Sequence, residues 1–157
     1  MINDQTTAFW NDFIATLPPE HPARKLPVPQ AERFGDNPKL ADELGHLIHQ
    51  GIKTATCASL WEHESEGSAI PQTGQYEIVL DGQDQPLAIY LLIEVTIRPF
   101  DEVDASFAFE EGEADRSLES WREGHWRFFS RILRPLGLEA DPKMPLVCQR
   151  FQVVHKR

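Results

Sequence analysis

The chain has 157 residues, with 25 Asp and Glu against 15 Lys and Arg, for a formal net charge of −10. That length suits one domain, and the charge excludes a surface that attracts polyanions all over, while leaving room for a local basic groove. With 41% apolar and 25% charged residues, the composition is that of a folded domain rather than a disordered chain.

Phe9, Phe13, Ile14 and Leu17 recur at helical spacing, and Pro18-Pro19 stops the run. The proline-rich stretch from Pro18 to Pro29 reads as an extended connector wrapped on the surface. A second helix is punctuated at both ends: Asn37 as cap, Pro38 in the first helical position and Gly51 just past the end. Leu40, Leu44, Leu47 and Ile48 form its apolar stripe. Lys53 to Leu60 reads as a strand or extended loop, followed by a polar hairpin-like excursion through Gly67 and Pro71.

Gln75 to Leu80 is a strand, Asp81-Gly82 opens a turn, and a longer strand follows. In it Leu87, Ile89, Leu91, Ile93, Val95 and Ile97 alternate, so that face is expected to be core. Asp101 to Glu119 holds eight acids (Asp101, Glu102, Asp104, Glu110, Glu111, Glu113, Asp115, Glu119) against Arg116. It reads as a solvated loop, partly buried through Phe107, Ala108 and Phe109. The next helix places Leu118, Trp121, His125, Phe128, Phe129 and Ile132 on one face, with Asp115 or Ser117 as cap and Pro135 as its end. Leu146 to Val154 is the last strand. Three helices and a small, mostly antiparallel sheet or barrel make an α+β fold.

Cys57 and Cys148 form no CxxC pair and are too few for a disulfide framework, so a reducing compartment is expected. No secretory signal is visible, and the longest apolar stretch is too short to span a bilayer. A cytoplasmic protein without a membrane partner follows.

Two places can carry chemistry. The first is Gly51-Ile52-Lys53-Thr54-Ala55-Thr56. A lysine after a helix end can simply satisfy free carbonyls, or, if desolvated, can lose its proton near neutral pH. Lys53 and Thr56 would point to opposite faces of a regular strand, so their cooperation requires an irregular backbone. The second is Glu111-Gly112-Glu113, a tight turn that can present a carboxylate to a cleft or supply oxygen ligands to Mg²⁺ or Mn²⁺. On the last helix Arg122, Arg127, Arg131 and Arg134 lie among Trp121 and Trp126. They can bind phosphate and stack bases, or pair with the acidic loop.

The order FGDNPKLADEL (Phe34 to Leu44), GIKTAT (Gly51 to Thr56), PFDEVD (Pro99 to Asp104) and FAFEEGEADRSLESWREGHWRFF (Phe107 to Phe129) resembles an ASCH-domain protein. The match is to the longer bacterial subgroup with an N-terminal helical segment. It implies a single PUA-like domain over 1–157: a helix and proline-rich wrap over 1–33, and an ASCH core over 34–157 built as a small β-barrel with flanking helices.

The resemblance implies hydrolysis in RNA or nucleoside metabolism. In the N4-acylcytidine amidohydrolase form Lys53 is a base, Thr56 and Glu111 complete the catalytic set, and no cofactor is required. Arg122, Trp121, Ser117 and Thr54 then bind substrate. In the single-stranded endoribonuclease form Glu111 and Glu113 hold Mg²⁺ or Mn²⁺; a non-catalytic RNA or nucleotide reader is the third form. The expected partner is a modified nucleoside or single-stranded RNA, not duplex DNA. The family's second glycine of EGEGD is Ala114 here, which has less backbone freedom.

Overall fold

Local capping chemistry sets most of the element boundaries. In the computed structural model, which describes all 157 residues, the Asn3 side chain accepts from the Thr6 amide and the Thr6 hydroxyl accepts from the Asn3 amide. This reciprocal pair opens helix α1, Asp4–Ala15. The proline-rich stretch contains a short three-ten turn, Pro22–Lys25, and the Arg24 guanidinium holds it by donating to the carbonyls of Leu17 and Pro18. Strand β1 is Ala31–Arg33. Helix α2, Pro38–His49, starts where the Asn37 side chain accepts from the Leu40 amide, and Gly51 follows it in the left-handed conformation at φ +77°.

Strand β2, Ala55–Ser59, runs directly into helix α3, Leu60–Glu66. The polar excursion expected here is therefore helical over its first turns. Ser59 caps the Glu62 amide, and Gly67 terminates the helix at φ +66°. Strands β3, Tyr76–Leu80, and β4, Pro86–Pro99, follow. Helix α4, Ala105–Glu111, replaces the middle of the expected acidic loop: Asp104 caps the Phe107 amide and Gly112 closes it. Helix α5, Leu118–Leu133, is capped by Ser117, and strand β5 is Pro145–Lys156. The chain thus has five α-helices rather than three. The two missed ones are 7 residues each, too short for a 3.6-residue period to stand out.

The five strands form one sheet in the order β1-β3-β4-β5-β2, in which β1 pairs parallel with β3 while β3–β4 and β2–β5 are antiparallel. This is the α+β, mostly antiparallel class.

By its contacts the chain divides into two compact units. The first comprises 1–51, 74–92 and 152–157. Its core joins Trp10 and Phe13 of α1 to Ala23, Ala31, Ile78, Leu80 and Ile89. The second comprises 52–73 and 93–151, and its core joins Ala55, Phe100, Phe107, Ala108, Trp121, Phe129, Leu133, Met144, Leu146 and Cys148. The alternation along β4 is only half right as a guide to burial. Ile89 is buried, but so are Ala88, Tyr90 and Leu92 on the opposite face, while Ile93 and Ile97 are exposed.

Candidate functional site

Within the second unit, the junction that follows α2 and the end of α4 are clasped backbone to backbone. The Thr54 amide donates to the Glu110 carbonyl at 2.8 Å. Gly112 makes the approach possible. It sits at φ +74°, and a Cβ there would lie 2.7 Å from the Ile52 carbonyl oxygen, inside any tolerable contact. Arg116 stacks on the Phe109 ring at 3.6 Å and donates to the Phe109 and Ile52 carbonyls. Ala114 and Arg116 themselves occupy left-handed backbone, at φ +51° and +66°. The Ala114 position therefore keeps a glycine-like conformation without glycine, at a cost of about 1–2 kcal/mol.

This clasp brings Lys53 and Glu111 together across 58 residues of sequence. The Lys53 Nζ lies 2.8 Å from Glu111 Oε1 and 2.9 Å from Glu113 Oε2. The second Glu111 oxygen is also occupied: Oε2 accepts from Trp121 Nε1 at 2.6 Å and lies 3.2 Å from His125 Nε2 and 3.3 Å from Cys57 Sγ. His125 stacks on the Trp121 ring with centroids 4.2 Å apart, and its Nδ1 lies 2.9 Å from the Trp121 carbonyl oxygen. Both ring nitrogens of His125 thus face pure acceptors, a carboxylate and a carbonyl, which suits the doubly protonated imidazolium.

The charges of the cluster cancel in pairs, two cations against two carboxylates. Burial pulls the Lys53 amine down, but the carboxylates of Glu111 and Glu113 outweigh it and hold the amine above its ordinary value. Burial pushes the Glu111 carboxyl up, yet Lys53 and then His125 take it well below the carboxylate range. Burial likewise lowers His125, and Glu111 raises it by more. The resting state at neutral pH is Lys53 ammonium with Glu111 carboxylate. In this state the two carboxylates hold the proton on Lys53, which the expected role as base would have to overcome.

The remaining expected site residues divide. Lys53 and Glu111 meet; Thr56 does not join them. The strand β2 is regular, so Ala55, Cys57 and Ser59 share one face and Thr56 lies on the other, opposite Gln149. Gln149 is buried and its Oε1 has no hydrogen-bond partner. Ser117 is committed to capping α5, and Trp121 is buried with its indole N–H on Glu111. Trp121 is thereby enclosed, whereas Ser117 is half-buried. The Thr54 hydroxyl makes only a 3.5 Å contact to the Glu110 carbonyl. Arg122 was expected beside the acidic turn but is exposed on α5 and pairs with no carboxylate. Arg116 does the holding instead.

Sequence reasoning missed Cys57 and His125 as members of this cluster. The signal for His125 was present: Trp121 and His125 are spaced i,i+4 and so share one helix face.

Cys57, Glu111 and His125 offer ligand atoms within 4.8 Å of one another, and the Trp121 indole N–H shares the same Glu111 oxygen. The gap between Glu111 and Glu113 is filled by the Lys53 ammonium at hydrogen-bond distances, where Mg²⁺ or Mn²⁺ would need about 2.0–2.2 Å to each oxygen. The Glu111–Glu113 pair does not fit a divalent ion between its carboxylates while Lys53 stays in place.

One end of the cluster reaches solvent. Glu113 is 31% exposed and His125 13%, against 1% for Lys53 and Glu111. On the outer side of α5, Arg122, Glu123, Trp126 and Arg127 line an open depression of about 490 Å³ with Phe100. Phe100 packs edge-on to Trp126 at 5.4 Å.

A family model described as the ASCH domain matches residues 30–155. Among solved structures, the crystal structure of an ASCH domain from Lactobacillus crispatus JV V101 is 29% identical, with a TM-score of 0.90, covering 98% of this chain and 96% of that one. The crystal structure of a protein from Enterococcus faecalis V583 is 40% identical, with a TM-score of 0.84, covering 95% of this chain and 87% of that one. No curated protein matches the chain.

Proposed function

The chain belongs to the ASCH-domain family, and on that premise we propose that it binds single-stranded RNA along the outer side of α5. The observation that carries this reading is the pair Arg122 and Arg127, both exposed and without carboxylate partners, beside the exposed ring of Trp126. In a chain of net charge −10, two guanidinium groups outside any ion pair flank an aromatic ring here, with Glu123 the one carboxylate of the same depression. Guanidinium groups bind phosphate oxygens in a bidentate manner, and an exposed indole offers a base about 1–3 kcal/mol of stacking. Duplex DNA cannot present an unstacked base to Trp126, and the acidic remainder of the surface repels a long polyanion.

The test is fluorescence anisotropy with a labelled single-stranded RNA of about ten nucleotides over a salt series. Two phosphate contacts give a log–log salt slope of about −1.4. Arg122→Glu with Arg127→Glu should weaken binding at least tenfold and flatten the slope, and Trp126→Ala should weaken it about tenfold at unchanged slope. Full affinity in all these variants would overturn the assignment.

Cleavage of the bound strand by transesterification is the second reading, and the solvent-facing end of the cluster supports it. Glu113 is a partly exposed carboxylate 4.0 Å from the His125 Nε2, a base and an acid within reach of one site. In strand cleavage Glu113 takes the proton of a ribose 2′-hydroxyl as its oxygen attacks phosphorus, and the His125 imidazolium gives its proton to the departing 5′-oxygen. Lys53 holds both carboxylates in place. An N4-acylcytidine amidohydrolase with Lys53 as base is the weaker reading, since two carboxylates keep the amine protonated and Thr56 faces away. RNA turnover lost in both Glu113→Gln and His125→Gln, with binding retained, supports cleavage. Turnover lost on Thr56→Val but kept in Glu113→Gln would restore the amidohydrolase set.

A further inference from the structure

The two cysteines, 91 positions apart in sequence, are direct cross-strand partners: Cys57 of β2 opposes Cys148 of β5. The register also tells which kind of pair they form. The Phe151 amide donates to the Thr54 carbonyl at 3.0 Å, and these two residues are opposite in the same register. Thr54–Phe151 is therefore a hydrogen-bonded pair. Such pairs alternate along an antiparallel ladder, so Thr56–Gln149 is hydrogen-bonded and Cys57–Cys148 is not. Non-hydrogen-bonded partners have Cα atoms about 4.5 Å apart and side chains on the same face, closer than in the other kind. Both thiols are free, and both pack against the core of the second unit.

We infer that Cys57 and Cys148 are a modification site: a peroxide oxidises them to a cross-strand disulfide within the folded chain. A separation of about 4.5 Å falls inside the range that a disulfide spans, at its short end. No backbone rearrangement is needed. Cys57 is the partly buried partner and Cys148 the fully buried one, so Cys57 is the one that peroxide reaches first. The Cys57 sulfur attacks the peroxide, the O–O bond breaks, and sulfenic acid and water form. The Cys148 sulfur then attacks the Cys57 sulfur; the S–S bond forms as hydroxide leaves with the Cys148 proton as a second water. In sum two thiols and one hydrogen peroxide give one disulfide and two waters.

Oxidation also alters the charged cluster. Cys57 Sγ is one of three donors to Glu111 Oε2, and a disulfide sulfur carries no proton to donate. Burial, followed by the Glu111 charge, keeps Cys57 in its thiol form, so the reaction proceeds at the rate of an unactivated thiol and requires peroxide in excess.

The experiment treats the native full-length chain with millimolar hydrogen peroxide, unfolds it in the presence of N-ethylmaleimide, and reads the intact mass. The expected product has lost two hydrogens, carries no maleimide, remains a monomer on non-reducing electrophoresis, and yields a tryptic cross-link joining the Cys57 and Cys148 peptides. Millimolar glutathione should return both thiols, and two maleimides should then add. Two maleimides on the peroxide-treated chain, sulfinic or sulfonic acid at Cys57 without the two-hydrogen loss, or disulfide-linked dimers would each overturn the inference. Cys148→Ser provides a second readout: its Cys57 should accumulate the sulfenic, dimedone-reactive form that the native chain passes through. Absence of that adduct while the native chain still forms the bond would refute the stated order.

Discussion

Replacing Lys53 by methionine tests the charged cluster most directly, because Met keeps the unbranched apolar stem and removes the ammonium. Glu111, 1% exposed, then loses the cation 2.8 Å away. Breaking a buried ion pair from one side costs about 3–5 kcal/mol, a large share of the 5–15 kcal/mol that holds an average domain. The pH dependence gives the claim its sharpest form. In the native chain the Glu111 carboxyl is depressed, so its stabilisation is present above the ordinary value of about 4.3 and is lost as pH falls toward the folded value. Without Lys53 the main charge opposing burial is gone, and with His125 left to oppose it the Glu111 carboxyl rises from its depressed value. The stabilisation it contributes above the ordinary value is then smaller than in the native chain. The stability gap between native and Lys53→Met chains should therefore be about 3–5 kcal/mol at pH 7 and shrink steadily below pH of about 4. Urea unfolding followed by the fluorescence of the four tryptophans measures both curves. Adding Glu111→Gln to Lys53→Met should recover part of the loss by removing the stranded charge. A gap below about 1 kcal/mol, the range of an exposed pair, or a gap unchanged between neutral and acid pH, would refute the argument.

Three further outcomes are expected. Gly112→Ala should destabilise by about 2–4 kcal/mol, the left-handed penalty added to overpacking against the Ile52 carbonyl; a change within experimental error in urea unfolding would contradict the close approach. Ala114→Gly should stabilise by up to about 1 kcal/mol, since glycine tolerates φ +51°, and a lower unfolding midpoint would contradict it. In NMR titration the His125 ring should lose its proton above the ordinary histidine value. Its stabilisation is full below about pH 6.5 and lost as pH rises through the raised value; titration below 6.5, or no change in Glu111→Gln, would contradict the coupling.

Much of this molecule was written in short-range signals. Asn37-Pro38 and Gly51 bound α2, Ser117 opens α5, and the runs around Gln75–Leu80 and Leu146–Val154 became β3 and β5, because caps and strand alternation act over two to four residues. The motifs GIKTAT and EGE, with SLESWREGH, were enough to indicate the family, and they directed attention to Lys53 and Glu111. The helices α3 and α4 did not stand out: seven residues give under two full turns, so their evidence lay in the caps Ser59 and Asp104 and in Gly67 and Gly112. What the tertiary structure alone decided is the chemistry. Whether Lys53 is a base depends on two carboxylates 58 and 60 residues away, whether Thr56 joins it depends on which face of β2 looks inward, and whether two cysteines can bond depends on the register of β5. Those are consequences of long-range packing, and a local pattern carries no record of them.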